Sequence, residues 1–336
     1  MSAGIVRVAA AVILRPDGQV LLAQRPAGKA YAGYWEFPGG KLEPGESPRA
    51  ALDRELHEEL GLRVRRAGPW LVQRFVYPHA HVELNFFRVF AWDGEPVGHD
   101  GQAFSWQTPG RFDVAPLLPA NTTVLRALVL PAVYGITMAG DMGEEAFLAR
   151  ARAALDGGLR LIQLREKDWP AARQHALADA LLALTARTGA QVLLNGDAER
   201  ARAWGCAGVH WTGAVLAAAT ERPAGMLCAA SCHTSGDVAR AGALGLDFAV
   251  LGPVLPTATH PGAPVLGWDG FAAIAGRASL PVFALGGLTE GDLDIAIAHG
   301  AHGVALRRAA WGARQAPRSS SGVMSSGPGD PTTGTR

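Results

Sequence analysis

Between residues 132 and 311, short apolar runs alternate with alanine-rich stretches of helical periodicity. The apolar runs fall at 133–137, 159–164, 191–194, 208–211, 227–231, 248–251, 282–285 and 303–306. Helical patterns occupy 144–156, 170–188, 237–244, 268–276 and 290–299, with a weaker one near 214–220. Strands this short and this apolar must be covered on both faces, and helical returns between them make the sheet parallel. Eight such repeats within about 180 residues predict a compact (β/α)8 TIM-type barrel. An open doubly wound sheet is the competing arrangement.

The pattern accounts for only part of the 336 residues, so a second domain is expected. Hydrophobic residues make up 49% and charged ones 18%, which supplies enough apolar surface for two cores and excludes a disordered chain. With 31 Lys and Arg against 30 Asp and Glu, no basic excess supports direct nucleic-acid binding, although a small nucleotide needs none. Cys206, Cys228 and Cys232 are too few for a disulfide framework and lack zinc-type spacing, which points to a reducing, cytoplasmic setting. Cys228 and Cys232 share a strand face and suit buried packing. The apolar run 6–14 is too short to span a membrane, so no membrane partner is expected. From 316 onward the only sizeable apolar side chains are Val323 and Met324, and 313–336 reads as a disordered tail. Nothing in the sequence sets the oligomeric state.

The texture changes near Pro131, dividing the chain into 1–130 and 131–312. In the first part, 6–14 and 19–24 read as paired strands about Pro16-Asp17-Gly18, and 83–90 as another strand. One long helix is expected at 48–60 and a second at about 121–130. Ser47 and Pro48 suit the helix start, and Gly61 supplies a left-handed stop. Leu52, Leu56 and Leu60 form one stripe, and Glu55, Glu58 and Glu59 fall on another face. Such a helix can be merely a solvated acidic surface. Against that, Glu58 and Glu59 sit in the last turn, where the helix dipole disfavours anions, and Arg54 is the one nearby cation. A hard divalent cation, Mg²⁺ or Mn²⁺, would relieve both problems through carboxylate oxygens. Gly39, Gly40 and Gly45 would allow a tight loop to approach phosphates.

The string Gly40-x5-Glu46-x7-Arg54-Glu55-Leu56-x-Glu58-Glu59-x-Gly61-Leu62 resembles a complete Nudix box. The resemblance implies a Nudix α/β/α sandwich that hydrolyses a nucleoside diphosphate linked to another group. Glu55, Glu58 and Glu59 would hold metal, one of them also positioning or deprotonating water, and Arg54 would orient Glu55. Beyond the box, Trp35-Glu36-Phe37-Pro38-Gly39-Gly40, the 94–102 segment and Leu118-Pro119-Ala120-Asn121 are similar to MutT-type 8-oxo-dGTP diphosphatases. By that similarity Asn121 would hydrogen-bond the purine edge and Phe37 would line the base pocket. Arg25 would lie near the nucleotide, and Asp100 would be a fourth carboxylate near the metal. An amide both donates and accepts, which suits a purine edge, but Asn121 could equally cap a helix and Phe37 could be core. Ala80 stands where the family often has an arginine, and Asp100 is one methylene shorter than the usual glutamate. The expected reaction is 8-oxo-dGTP to 8-oxo-dGMP and pyrophosphate, a nucleotide-pool and DNA-repair role. Another nucleotide, or a thiamine-related diphosphate, is the alternative substrate.

Residues 132–311 resemble the thiamine phosphate synthase and TenI family through Gln163-Leu164-Arg165-Glu166-Lys167, Ser231-Cys232-His233-Thr234, Gly252-Pro253-Val254-Leu255-Pro256-Thr257 and Leu285-Gly286-Gly287. The resemblance implies phosphate binding by Arg165 and Lys167, with backbone amides from Gly286 and Gly287. Asn195, His233 and Thr257 are further ligand candidates, the ligand being a thiamine-precursor phosphate. Arg165 and Lys167 could instead be salt-bridge partners, and His210 and His233 satisfied barrel histidines. The synthase's aspartates are missing, since Gly196 follows Asn195 and Trp211-Thr212-Gly213 follows His210. His260 replaces an expected lysine, and Pro253 stands where the TenI branch uses histidine. A barrel without these groups is expected to bind a thiazole or pyrimidine phosphate and to be inactive as a synthase. A synthase module is the alternative.

Overall fold

The computed structural model describes residues 4–78, 80–98, 101–257, 262 and 264–312. Asp100, His260 and the expected tail at 313–336 lie outside the described residues.

The N-terminal unit contains β1 (Val6–Ile13), β2 (Val20–Gln24), β3 (Trp35–Glu36), β4 (Gly39–Lys41), α1 (Pro48–Leu60), β5 (Arg63–Tyr77), β6 (Ala80–Asp93), β7 (Phe104–Gln107) and α2 (Thr122–Ala127). One sheet runs β4-β1-β6-β5 and a second β3-β2-β7. Strand β1 is apolar on both faces, and alternation sends its side chains to opposite layers. Ala9, Ala11 and Ile13 pack on Leu52, Leu56 and Leu60 of α1. Ala10 and Val12 pack on the other side with Phe37, Phe86 and the α2 residues Val124 and Leu125. The result is the expected α/β/α sandwich.

Three sequence expectations change here. Strands β1 and β2 share only an isolated bridge, Leu14 to Val20, before entering different sheets. Both edges of β1 are taken, one by β4 and one by parallel pairing with β6, so no edge remains for a hairpin partner. Gly39 and Gly40 belong to strand β4 and not to a loop. The helix expected at 121–130 is the short α2, preceded by a 3-10 turn at Pro119–Asn121. Strand β5 went unread, because Arg63, Arg65 and Arg66 and shifts of register between Val64 and Leu71 break its alternation.

The C-terminal unit follows as β8 (Val133–Ile136), α3 (Ala139–Met142), α4 (Glu144–Asp156), β9 (Leu161–Leu164), α5 (Ala171–Thr185), β10 (Gln191–Asn195), α6 (Ala198–Ala203), β11 (Gly208–Trp211), α7 (Gly213–Ala218), β12 (Leu227–Cys232), α8 (Ser235–Ala243), β13 (Phe248–Leu251), α9 (Gly267–Ala275), β14 (Val282–Leu285), α10 (Leu293–Ala298) and β15 (Gly303–Leu306). Strand β15 pairs in parallel with β8, Val304 opposite Val133, which closes the barrel and removes the open-sheet alternative. Tyr134, Phe248 and Phe283 fill its interior. Cys228 and Cys232 are fully buried between strands and helices.

The two units are joined by polar contacts, some buried and some exposed. Arg88 of β6 donates to the carbonyls of His302 (2.9 Å) and Ala301 (2.5 Å), and the Val72 amide to that of Ala278 (2.9 Å). The Trp70 ring lies 5.7 Å from that of His302. Arg66 pairs with Asp294 at 2.8 Å. Arg88 has no carboxylate partner among the described residues, and burial pushes its pKa down to about 9. Among the described residues no helix is long and apolar enough to cross a membrane.

Candidate active site

Helix α1 begins and ends as its sequence dictates. Ser47 Oγ accepts from the Ala50 amide at 3.2 Å, and Gly61, at φ 69°, returns its amide to the His57 carbonyl. Burial of the leucine stripe turns the acidic face outward. Arg54 sits at its centre, donating to Glu55 (2.9 Å), Glu58 (3.1 Å) and Glu46 (3.0 Å), and to the Lys41 carbonyl of β4. These bonds raise the Arg54 pKa well above its usual value and lower that of Glu46. The carboxylate repulsion expected from the sequence is thus offset by Arg54. A Cβ at Gly40 would overlap the Glu55 carboxylate, so a larger residue there would push that carboxylate from its place.

The three helix glutamates do not gather as one group. Glu55 and Glu59 line a cavity of about 630 Å³ between α1 and the sheets. Glu58, with 58% of its side chain exposed, is drawn aside by Arg54. Among the described residues no three His, Cys, Asp or Glu side chains stand at metal-binding spacing. Glu55 and Glu59 still offer hard oxygen donors beside Gly40, and Mg²⁺ is commonly held by one or two carboxylates completed by water and substrate phosphate. The donor set therefore fits such an ion.

The other candidates line the same cavity. Gly39 and Gly40 form its floor through β4. Arg25 reaches it but is committed to Glu36 at 2.5 Å and to the Ala30 carbonyl at 2.7 Å. Burial pushes the Glu36 pKa up, and Arg25 opposes that rise. Lys29 stands 4.0 Å from Glu59. Phe37 is both core and wall, 4% exposed and edge-on to Phe86 at 5.8 Å. Ala80 lines the cavity as well. Asn121 forms no capping hydrogen bond, which removes the helix-cap reading. It is 3% exposed, and its buried Nδ2 has no protein partner.

The barrel has its own cavity of about 630 Å³ at the carboxyl ends of the strands. Arg165, Lys167, Asn195, His233, Thr257, Gly286 and Gly287 all line it. All seven sequence candidates thus come together. Among the described residues neither Arg165 nor Lys167 forms an ion pair, which removes the salt-bridge reading. Burial and the nearby Arg307 lower the Arg165 pKa, and Arg165 with burial lowers that of Lys167. Such mutual repulsion disposes both toward an anion. His233 donates from Nδ1 to the Gly252 carbonyl at 2.8 Å.

A chain of polar groups crosses the barrel interior, and the sequence reading did not assemble it. Gln163 Nε2 donates to the Tyr134 hydroxyl (3.3 Å), which is itself hydrogen-bonded to His210 Nδ1 (3.2 Å). His210 Nε2 is in turn hydrogen-bonded to Ser231 Oγ at 2.9 Å. Ser231 lines the cavity. His210 is a satisfied barrel histidine, held neutral by burial, which brings its pKa down to about 3.

Comparison with known proteins bears on both units. A family model described as NUDIX domain matches residues 4–128, and one described as thiamine monophosphate synthase matches 133–310. The chain belongs to both families. Its N-terminal unit is a Nudix hydrolase of the MutT-like kind, and its C-terminal unit a thiamine phosphate synthase/TenI-type barrel. The Nudix unit is 38% identical over 129 residues to the 8-oxo-dGTP diphosphatase of Haemophilus influenzae, covering 38% of this chain and 95% of that one. It is 40% identical over 131 residues to the CTP pyrophosphohydrolase of Escherichia coli, covering 37% and 92%. The synthase-type barrel is 36% identical over 190 residues to the thiamine-phosphate synthase of Acidithiobacillus ferrooxidans, covering 53% and 85%.

Proposed function

We propose that this Nudix hydrolase cleaves 8-oxo-dGTP to 8-oxo-dGMP and pyrophosphate, and so clears an oxidised nucleotide before it enters DNA. The observation that carries the reading is one cavity with Glu55 and Glu59 on its α1 wall and Asn121, whose Nδ2 has no protein partner, elsewhere on its lining. Glu55, Glu58, Glu59 and Asp100 are the proposed ligands of Mg²⁺ or Mn²⁺. When bound, the cation would neutralise pyrophosphate charge. Arg54 holds Glu55 in place. Glu59, on the cavity wall beside Lys29, is suited to accept the proton of the attacking water. That water adds its oxygen to a phosphorus of the anhydride, and the bridging oxygen leaves with the other phosphate. Arg25 steadies the wall through Glu36, while Phe37 and Asn121 receive the base.

Ala80 on the cavity lining, together with the similarity to a CTP pyrophosphohydrolase, gives weight to a second reading in which the substrate is a pyrimidine nucleotide. Pyrophosphate release from 8-oxo-dGTP, dGTP and CTP with Mg²⁺ separates the two. We expect kcat/KM for 8-oxo-dGTP to exceed that for dGTP by at least tenfold, about 1.4 kcal/mol of differential binding. Equal values would sink the oxidised-guanine assignment, and a CTP preference would establish the second reading.

For the barrel, taken as residues 131–312, we propose binding of a thiazole or pyrimidine phosphate at Arg165, Lys167, Gly286 and Gly287, without synthase turnover. Metal-assisted displacement of pyrophosphate needs carboxylates that Gly196 and Trp211-Thr212-Gly213 do not supply. The full chain carrying Glu59→Gln, expressed in a strain lacking thiamine phosphate synthase, is expected to leave it dependent on added thiamine. Growth without thiamine overturns this reading.

A further inference from the structure

Six buried side-chain polar atoms lack a protein partner among the described residues. Three of them, on Trp70, Arg88 and His302, meet at the junction of the two units, and Arg307 belongs to the barrel. The remaining two, Asn121 Nδ2 and Gln102 Oε1, both belong to residues lining the Nudix cavity. We infer that Gln102 is a second base-reading residue, its amide carbonyl accepting from an N–H of the bound base while Asn121 donates to a base oxygen or nitrogen. This inference rests on the nucleotide reading above.

The chemistry of the pair supports it. One atom is a donor and the other an acceptor, and each is buried in a residue of the cavity wall without a protein partner. A buried amide without a partner is costly, and native proteins leave few such groups without a use. Several other polar groups of the lining are already engaged. Arg25 binds Glu36, Lys29 lies by Glu59, and Gln24 Nε2 donates to the Gly33 carbonyl at 3.0 Å. A ligand edge with one acceptor and one N–H donor satisfies both amides. A 6-oxopurine has such an edge, and oxidation at C8 adds another N–H at N7. An ionised phosphate offers only acceptors and so cannot satisfy the Gln102 carbonyl. Sequence reading placed Gln102 only within a family-like string, because its buried carbonyl becomes visible once the fold closes over it.

The test compares kcat/KM for the nucleotide that the wild-type chain prefers with that for 2-deoxyribose 5-triphosphate, which has no base. In Gln102→Leu the ratio of the two is expected to fall roughly ten- to hundredfold. Gln102→Glu keeps an acceptor and is expected to retain more of the ratio than the leucine variant. An unchanged ratio in Gln102→Leu overturns the inference, as does an equal loss in both variants. The wild-type preference itself tests the 8-oxo-dGTP reading separately, since Gln102 can be judged on any nucleotide.

Discussion

Replacing Glu59 by glutamine is expected to lower kcat for pyrophosphate release by roughly 10²–10⁴-fold while leaving the thermal midpoint unchanged. Glu59 lines the cavity with only 19% of its side chain exposed, and glutamine keeps its size while removing one negative charge and a proton acceptor. The leucine stripe that holds α1 in place is untouched, so a loss of activity would not reflect unfolding. Glu58→Gln is expected to abolish hydrolysis as well, although Glu58 is mostly exposed and bound to Arg54. Its contribution requires the side chain to leave Arg54 when cation and nucleotide arrive. Steady-state kinetics with Mg²⁺, set beside thermal melts of each variant, decide the matter. Full activity in Glu59→Gln removes the proposed proton acceptor. Full activity in Glu58→Gln alone would limit the ligand set to the cavity-facing glutamates.

Acid should weaken the fold at a pH where most carboxylates are still ionised. His210 and His302 are buried, and desolvation brings both from 6.5 down to about 3, with Arg165 and Arg88 respectively adding to the shift. A folded-state pKa below the unfolded value means that the unfolded chain binds more protons between those limits. Stability is then full above about pH 6.5 and falls as pH drops toward 3, by about 1.4 kcal/mol per unit for each histidine. Going from about pH 7.5 to about pH 5, the two together should cost about 4 kcal/mol. Urea unfolding at the two pH values measures this loss. His210→Gln and His302→Gln should each remove about half of it, because neither variant can take up the proton. A loss undiminished in both variants would assign the acid sensitivity to other groups.

Much of this molecule was legible in local pattern. The bounds of α1 follow from Ser47, Pro48 and Gly61, whose caps involve neighbours within a few residues. Barrel strands such as Gly208–Trp211 and Phe248–Leu251 coincide with their apolar runs, because a strand covered on both faces has no alternation to obscure it. The Nudix and synthase-type motifs are short segments of chain, so their residues could be named before any contact was known. Strand β5 was missed for the opposite reason, since its arginines are tolerated by solvent on one face while the register shifts hide its apolar side.

Relations between distant segments were settled by the tertiary structure alone. Sequence spacing placed Glu55, Glu58 and Glu59 on one helix face, but the position of Arg54 against β4 determined which of them looks into the cavity. It left Asn121 open between cap and base, and the absence of a capping bond came only with the fold. It gave no sign that Arg88 would enter the barrel's underside, 213 residues from its acceptor at Ala301. Short-range periodicity and caps determine elements because their hydrogen bonds and sterics are local. The partner of a buried charge or amide depends on which surfaces meet, and that is decided only when the whole chain has packed.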